Sequence, residues 1–178
     1  MFFKDIESAL DWLRNYLNAK AVGYEIFASE TSGKTVECSG KKVEAFRVRS
    51  DSGVGIRVLS GARSAFGFSN LLDRGYLEAL VSRTIEASQE ADEDKWCCFS
   101  TKAIDGAILE GIFDPAIEDH DEERLIKTAL LIEESAMGFD PRIRKARKAS
   151  YSETLVSTRT MNSNDVEVAN RATFFSGQ

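Results

Sequence analysis

The chain has 178 residues, with a hydrophobic content of 43% and a charged content of 29%, enough for one large domain or one and a half small ones. Its formal net charge of −6 argues against a general nucleic-acid binder, which needs a positive field toward the phosphate backbone. No apolar run approaches the roughly 20 residues of a membrane span. The first residues also show no charged segment followed by an apolar one, so no secretory signal is visible and the cytoplasm is the default localisation.

The first part of the chain predicts a helix followed by short strands. Apolar residues in 3–19 recur at spacings of three and four, as in an amphipathic helix. A strand is predicted over 22–29, then a turn over 31–33, and a second short strand over 34–38 that ends in a turn at 39–41.

The segment 43–72 carries the clearest strand pattern. Two runs with alternating apolar positions, 46–48 and 54–58, flank a predicted turn over 50–53, and a third run over 65–68 follows a glycine-containing turn. This order predicts a β-meander. Because parallel strands need long crossover connections, these short connections predict an antiparallel sheet.

Two further helices and a hairpin complete the predicted elements. Asp73 can cap a helix that runs to Ala91, and Asp121 can begin another that Gly138 and Pro141 stop. Strands over 153–161 and 166–175 then form a hairpin around Asn162-Ser-Asn-Asp165. Helices that cover an antiparallel sheet predict a two-layer α+β fold, in which the sheet is packed by two or three helices and followed by a carboxy-terminal β-hairpin.

The same elements divide the chain into three predicted regions. Residues 1–91 hold the first helix, the meander and the second helix, and residues 92–120 form an irregular connecting region. Residues 121–178 hold the third helix and the hairpin.

Cysteine and histidine usage limits the metal and redox chemistry that the chain can support. Cys38, Cys97 and Cys98 are too few for a disulfide framework, and adjacent cysteines bridge only through a strained turn. A zinc site needs a Cys-x-x-Cys spacing or partner histidines, and His120 is the single histidine. We therefore predict that all three cysteines are reduced and that their role is structural or incidental.

The sequence Gly53-Val-Gly-Ile-Arg57 invites a phosphate-binding interpretation. It lacks the third glycine of G-x-G-x-x-G, and a strand follows where a helix amino terminus is required. Glycines at this spacing more often permit close packing or a bulge in a sheet. Arg57 alternates with the apolar residues of this strand, so its side chain is predicted on the other face. There it is either a solvated charge or directed toward a partner surface.

Two charged runs have a functional and a structural interpretation. The acidic run 118–123 contains His120 and could ligate a metal, but acidic residues are also favoured in the first turn of the helix that follows. The run Arg142–Lys148 has five positive charges in seven residues. Without interleaved aromatic residues, it favours a solvated segment over a nucleic-acid patch. The chain itself carries no metal-binding or catalytic motif.

Several short motifs, weak individually, occur in a recognisable order: Gly53-Val-Gly-Ile-Arg-Val58, Gly67-Phe-Ser-Asn70, Phe113-Asp-Pro115, Phe139-Asp-Pro-Arg-Ile143 and Asn162-Ser-Asn-Asp165. In this order, and with the flanking helices, the chain resembles the amino-terminal part of the TldD/PmbA family, also called modulators of DNA gyrase. The Asn-Ser-Asn segment is more similar to the PmbA branch, also called TldE. A glycine is usual where this chain has Asp165, so an altered turn is expected.

The resemblance implies an amino-terminal α+β domain that continues into a β-rich carboxy-terminal domain. In the TldD branch that second domain binds zinc through H-E-x-x-x-H and a cysteine, whereas the PmbA branch lacks these ligands and pairs with TldD. The pair is a cytoplasmic metalloprotease, with proteolysis of unstructured peptides and peptide maturation as its roles.

For this chain the resemblance implies a non-catalytic part that contributes dimer contacts and substrate-chamber walls. Its partner would be a TldD-type subunit or a second copy, and zinc is expected only in the TldD-type partner. Arg57, Phe68 and Asn70 are the candidate residues of a substrate or partner surface.

Two alternatives stay open. One is a standalone module that binds a protein or, through Arg142–Lys148, a nucleic acid, although the acidic balance argues against direct nucleic-acid binding. The other is a hydrolase built on His120, which requires a neighbouring nucleophile that the sequence cannot place.

Overall fold

In the computed structural model, residues 5–20, 22–102 and 111–178 are described. They form one five-stranded antiparallel sheet in the order β3-β2-β1-β4-β5, together with three α-helices, which confirms the predicted α+β class. The helices are α1 (Ile6–Asn18), α2 (Arg74–Glu90) and α3 (Glu122–Phe139). The strands are β1 (Gly23–Ser39), β2 (Lys42–Ser60), β3 (Arg63–Ser69), β4 (Ala149–Asn162) and β5 (Glu167–Gly177). A short 3₁₀ helix, Pro115–Asp119, precedes α3.

The first two strands are longer than the sequence predicts. β1 runs without interruption through the predicted turn at 31–33, and β2 runs through the one at 50–53, so both turn predictions are wrong. Gly33 and Gly53 do not have positive φ, and a Cβ on either would lie 3.2–3.3 Å from a neighbouring strand. Glycine here permits close strand approach. The actual turns contain Gly40 and Gly61, whose φ angles are 59° and 65°.

The chain divides into two compact units, each with its own core. The first unit is built from the described residues of 5–30, 51–102 and 157–170. Its core joins the apolar stripe of α1 and one face of α2 to alternate residues of the strands: Ile6, Ala9, Leu10, Leu13, Leu17, Tyr24, Ile26, Ala28, Val54, Ile56, Val58, Leu77, Val81 and Met161. Asp73 caps α2 as predicted, because its side chain accepts a hydrogen bond from the Gly75 amide at 2.9 Å.

The second unit is built from the described residues of 31–50, 111–156 and 171–178. Its smaller core packs α3 against the strands through Val36, Cys38, Leu125, Ala129 and Tyr151. Asp121 caps α3 as predicted and accepts from the Arg124 amide at 2.8 Å. The helix ends at Phe139, between Gly138 and Pro141, the two residues that were predicted to stop it.

The carboxy-terminal hairpin is confirmed, with β4 and β5 joined at the predicted position. Asn162 organises the turn, since its side-chain oxygen accepts from the amides of Asn164 at 2.9 Å and Val166 at 3.3 Å. Asp165 has a φ of 59°, in the left-handed region where glycine is the default residue. Aspartate tolerates this region better than most residues, so the exchange leaves the hairpin in place.

Candidate functional site

Arg57 and Phe68, two of the predicted surface residues, lie on one face of the β2–β3 pair. In the antiparallel register, Arg57 is opposite Phe66 and Gly55 is opposite Phe68, so these four positions share a face. Phe66 and Phe68 are 65% and 77% exposed, and the centroids of their rings lie 6.4 Å apart. We call Arg57, Phe66 and Phe68 the aromatic surface. The third predicted residue, Asn70, is exposed just beyond the end of β3.

Gly55 and Gly67 explain why the aromatic surface has this shape. A Cβ on Gly55 would lie 3.0 Å from the Phe66 ring, so the missing side chain leaves room for that ring over the strand. Gly67 lies on the opposite face of β3, where α2 packs directly against the backbone. The α2 helix therefore covers one face of β3 while both phenylalanine rings remain open to solvent.

Arg57 is held in place within the first unit. Its guanidinium carbon lies 4.8 Å from the centroid of the Phe99 ring, and a terminal nitrogen lies 3.2 Å from a Glu25 carboxylate oxygen. Its Nε atom is buried and has no hydrogen-bond partner among the described residues. Such an arginine presents a fixed positive group beside exposed aromatic rings, a combination that is enriched in protein interfaces.

A second polar group lies around Glu153 in the other unit. The carboxylate is 3% exposed and both its oxygens lie 3.0 Å from Nδ1 of His120. It also accepts from Arg124 at 2.5 Å and from the Tyr151 hydroxyl at 3.0 Å. Burial, followed by the hydrogen bond to Glu153, raises the pKa of Tyr151. Sequence analysis found His120 but missed Glu153, because the two are far apart in sequence.

The arrangement around His120 does not fit a zinc ion. Its Nδ1 lies between Glu153 and Arg124, and the Glu153 carboxylate already accepts from arginine and tyrosine. Over the described ranges no group of three or more metal-ligating side chains occurs. The predicted acidic run is engaged elsewhere: Glu118 pairs with Arg171, Asp121 caps α3 and Glu123 pairs with Lys127.

The cysteines and the basic run also have defined surroundings. All three cysteines are free, and burial raises the pKa of the Cys38 thiol. Within the basic run, Arg142 pairs with Asp140 at 2.8 Å and Lys148 pairs with Glu37 at 2.7 Å. In the part of the chain that the structure describes, no helix is both long and apolar enough to cross a membrane.

Comparison with family models gives two matches that together cover more than half of the chain. Residues 24–90 match the model described as PmbA/TldA metallopeptidase domain 1. Residues 115–178 match the model described as the PmbA/TldA metallopeptidase central domain. Among curated proteins, the uncharacterised protein MJ0231 of Methanocaldococcus jannaschii is 25% identical over 142 residues, which are 80% of this chain and 32% of that protein.

Solved structures share the fold. A candidate modulator of DNA gyrase from Bacteroides thetaiotaomicron superposes with a TM-score of 0.80 at 18% identity, over 99% of this chain and 41% of that one. TldE from Thermococcus kodakarensis superposes with a TM-score of 0.73 at 11% identity, over 93% of this chain and 37% of that one. The chain therefore spans about a third to two fifths of the length of the proteins it matches.

Proposed function

Because the chain belongs to the PmbA/TldD family, we propose that it is the non-catalytic amino-terminal part of a zinc metallopeptidase complex that cuts unstructured peptides in the cytoplasm. The observation that carries the proposal is the pair of family matches in their expected order. In this proposal zinc is bound by the carboxy-terminal domain of a TldD-type partner subunit, and this chain supplies no metal ligand.

The aromatic surface supports a role in contacts with a partner subunit or a peptide. Two phenylalanine rings that are more than half exposed leave apolar area in water, and burying it would stabilise a complex. Arg57 adds a fixed charge beside the rings. In the proposal, Arg57, Phe68 and the neighbouring Asn70 form part of a dimer contact or a wall of the substrate chamber.

Reconstitution with a TldD-type subunit from the same source tests this proposal. Light scattering after gel filtration would measure the mass of the complex, and a fluorogenic unstructured peptide would measure zinc-dependent hydrolysis. We expect no hydrolysis by the chain alone, and both association and hydrolysis by the reconstituted complex. Zinc-dependent hydrolysis by the 178-residue chain itself would refute the non-catalytic role.

A variant pair tests the aromatic surface separately. Phe68→Ser should weaken association or raise the KM for the peptide, whereas Phe139→Ser removes a ring that is 86% exposed in the other unit and should change neither. Equal effects of the two variants would show that exposed rings in general, and not this surface, are responsible.

The second candidate function is an interaction module of the gyrase-modulator type, which the naming of the Bacteroides thetaiotaomicron relative favours. The net charge of −6 opposes contact with DNA phosphates, so a protein partner is the preferred form of this candidate. Tight DNA binding whose affinity falls steeply with salt would instead support the nucleic-acid form.

A further inference from the structure

A cavity in the second unit has features that the proposed function does not use. Its volume is about 750 Å³, within the range of roughly 300–1,000 Å³ that is usual for ligand pockets. Apolar groups of Leu130, Met137 and Ala146 line part of it. The remaining lining residues, several of them charged, come from the β1–β2 turn, from α3 and from the segment that follows α3.

One wall of the cavity is fixed by a buried carboxylate. Glu133 of α3 is 5% exposed and accepts hydrogen bonds from the amides of Gly40 at 2.7 Å and Lys41 at 3.0 Å. Both turn residues have positive φ, which is typical of the two-residue type I′ turn between antiparallel strands. Because backbone amides donate hydrogen bonds to both of its oxygens, Glu133 repels a bound anion less than an unbonded carboxylate would.

Another part of the lining presents cations from the basic run Arg142–Lys148. The two ends of the run are neutralised by Asp140 and Glu37, but Arg144 and Lys145 line the cavity. No carboxylate in the described ranges forms an ion pair with Arg144, Lys145 or the third lining cation, Lys41. Glu134 is the one lining carboxylate besides Glu133, so positive charge is in excess.

We propose that this cavity binds an acidic peptide segment in which a carboxylate side chain neighbours a large apolar one. Carboxylates pair well with arginine and lysine, and the apolar side chain would be buried against Leu130 and Met137. Methionine adapts readily to different apolar shapes, which suits the capture of varied sequences. The inference rests on the proposed function for the source of the peptide, an unstructured substrate of the complex.

A short acidic peptide fits the charges better than a nucleic acid. The chain as a whole carries a net charge of −6, which repels a long polyanion over its whole length. One or two carboxylates need only the local excess of cations at the cavity. The apolar lining is also a poor match for phosphates, whereas it matches a leucine or phenylalanine side chain.

Fluorescence anisotropy with a labelled Gly-Asp-Leu-Phe-Glu-Gly peptide tests the proposal on the 178-residue chain. Arg144→Gln should raise the Kd about fivefold, the upper range for one exposed ion pair. Arg147→Gln is the matched control, since Arg147 is an exposed arginine of the same run that does not line the cavity. It should change the Kd less than about twofold.

A second comparison tests the apolar half of the site. Met137→Ser should raise the Kd of the Gly-Asp-Leu-Phe-Glu-Gly peptide. It should have little effect on the Kd of a peptide in which Leu-Phe is replaced by Ala-Ala. Circular dichroism melts would confirm that each variant is folded. Equal loss of affinity in the Arg144 and Arg147 variants, or tighter binding of a single-stranded oligonucleotide than of the peptide, would overturn the proposal.

These measurements do not depend on a partner subunit. Arg144-dependent binding by the chain alone supports the inference even if no complex with a TldD-type subunit forms, an outcome that would count against the proposed function only. Conversely, a zinc-dependent complex that forms and cuts peptides, with no Arg144-dependent binding in the chain, would overturn the inference and leave the proposed function standing.

Discussion

Gly67 is the position at which the packing of α2 on β3 can be tested most directly. A Cβ added there would lie 2.4 Å from the Thr84 hydroxyl oxygen and 2.8 Å from a Leu80 methyl carbon. The first distance is about 1 Å shorter than an ordinary contact of 3.4 Å. The Thr84 hydroxyl cannot simply rotate away without loss, because it donates to the Leu80 carbonyl at 2.8 Å.

Gly67→Ala should therefore destabilise the chain by about 2 kcal/mol, within the 1–3 kcal/mol that overpacking usually costs. Urea unfolding followed by circular dichroism measures this change. For a slope of about 2 kcal/mol per M, the midpoint should fall by about 1 M with the slope itself unchanged. Because β3 is an edge strand and can shift outward, the loss of stability is expected to stay below about 3 kcal/mol.

Two further variants distinguish overpacking from a general loss of glycine flexibility. Gly138→Ala lies in α3 with no heavy atom within 4 Å of the new Cβ, so it should stabilise by about 0.5–1 kcal/mol. The double variant Gly67→Ala, Thr84→Ala removes the closest contact and should cost less than the two single changes added together. A Gly67→Ala protein within about 0.5 kcal/mol of the original would refute the reasoning.

Three other predictions concern charge and backbone conformation. Glu153→Ala should destabilise by about 2–3 kcal/mol in urea unfolding, because it removes the acceptor of a buried polar group, whereas Glu123→Ala, in an exposed pair, should cost less than about 0.5 kcal/mol. Arg47, followed by Lys148, lowers the pKa of Glu37 to about 2, so the stabilisation from this carboxylate is complete above its ordinary pKa and is lost as the pH falls through about 2. Arg47→Ala should raise that pKa in an NMR titration, and an unchanged value would contradict the pairing. Asp165→Gly should raise stability by about 0.5–1 kcal/mol, since glycine accepts a φ of 59° without steric cost, and Asp165→Ala should lower it.

The helices were the most predictable part of the fold because their signals are local. Asp73 and Asp121 each precede an apolar stripe, and each accepts a hydrogen bond from an amide of the first turn. The apolar spacing over 3–19 predicts α1 in the same way, and the buried residues of α1 follow that spacing.

The strand ends were less predictable because glycine occurs both in turns and at close contacts inside strands. Glycine at positions 33 and 53 lies within long strands, where it permits close approach, while glycine at positions 40 and 61 makes the turns. Sequence alone gives the same signal in both cases. Only the register with a neighbouring strand distinguishes them, and that register depends on residues distant in sequence.

The candidate sites show the same limit. Strand alternation predicts that Arg57 leaves the apolar face, whereas Phe68 was a candidate only through the family resemblance. The contact between Arg57 and the Phe99 ring could not be predicted from either. Glu153 has an unremarkable place in a strand pattern, and its contacts with Arg124 and His120 join residues about thirty positions apart. The proposed binding of a carboxylate in the cavity depends on which cations of the basic run remain unpaired, and composition does not reveal that.

The hydrogen bonds from the β1–β2 turn to Glu133 mean that hydrogen exchange at two backbone amides reports whether α3 is docked. The amides of Gly40 and Lys41 lie in a tight turn, where exchange with solvent hydrogen would ordinarily be fast. Here their acceptor belongs to a helix 92–93 positions later in the chain. Their exchange protection therefore persists only while α3 remains in place, so the two sites measure the local opening of α3 separately from global unfolding.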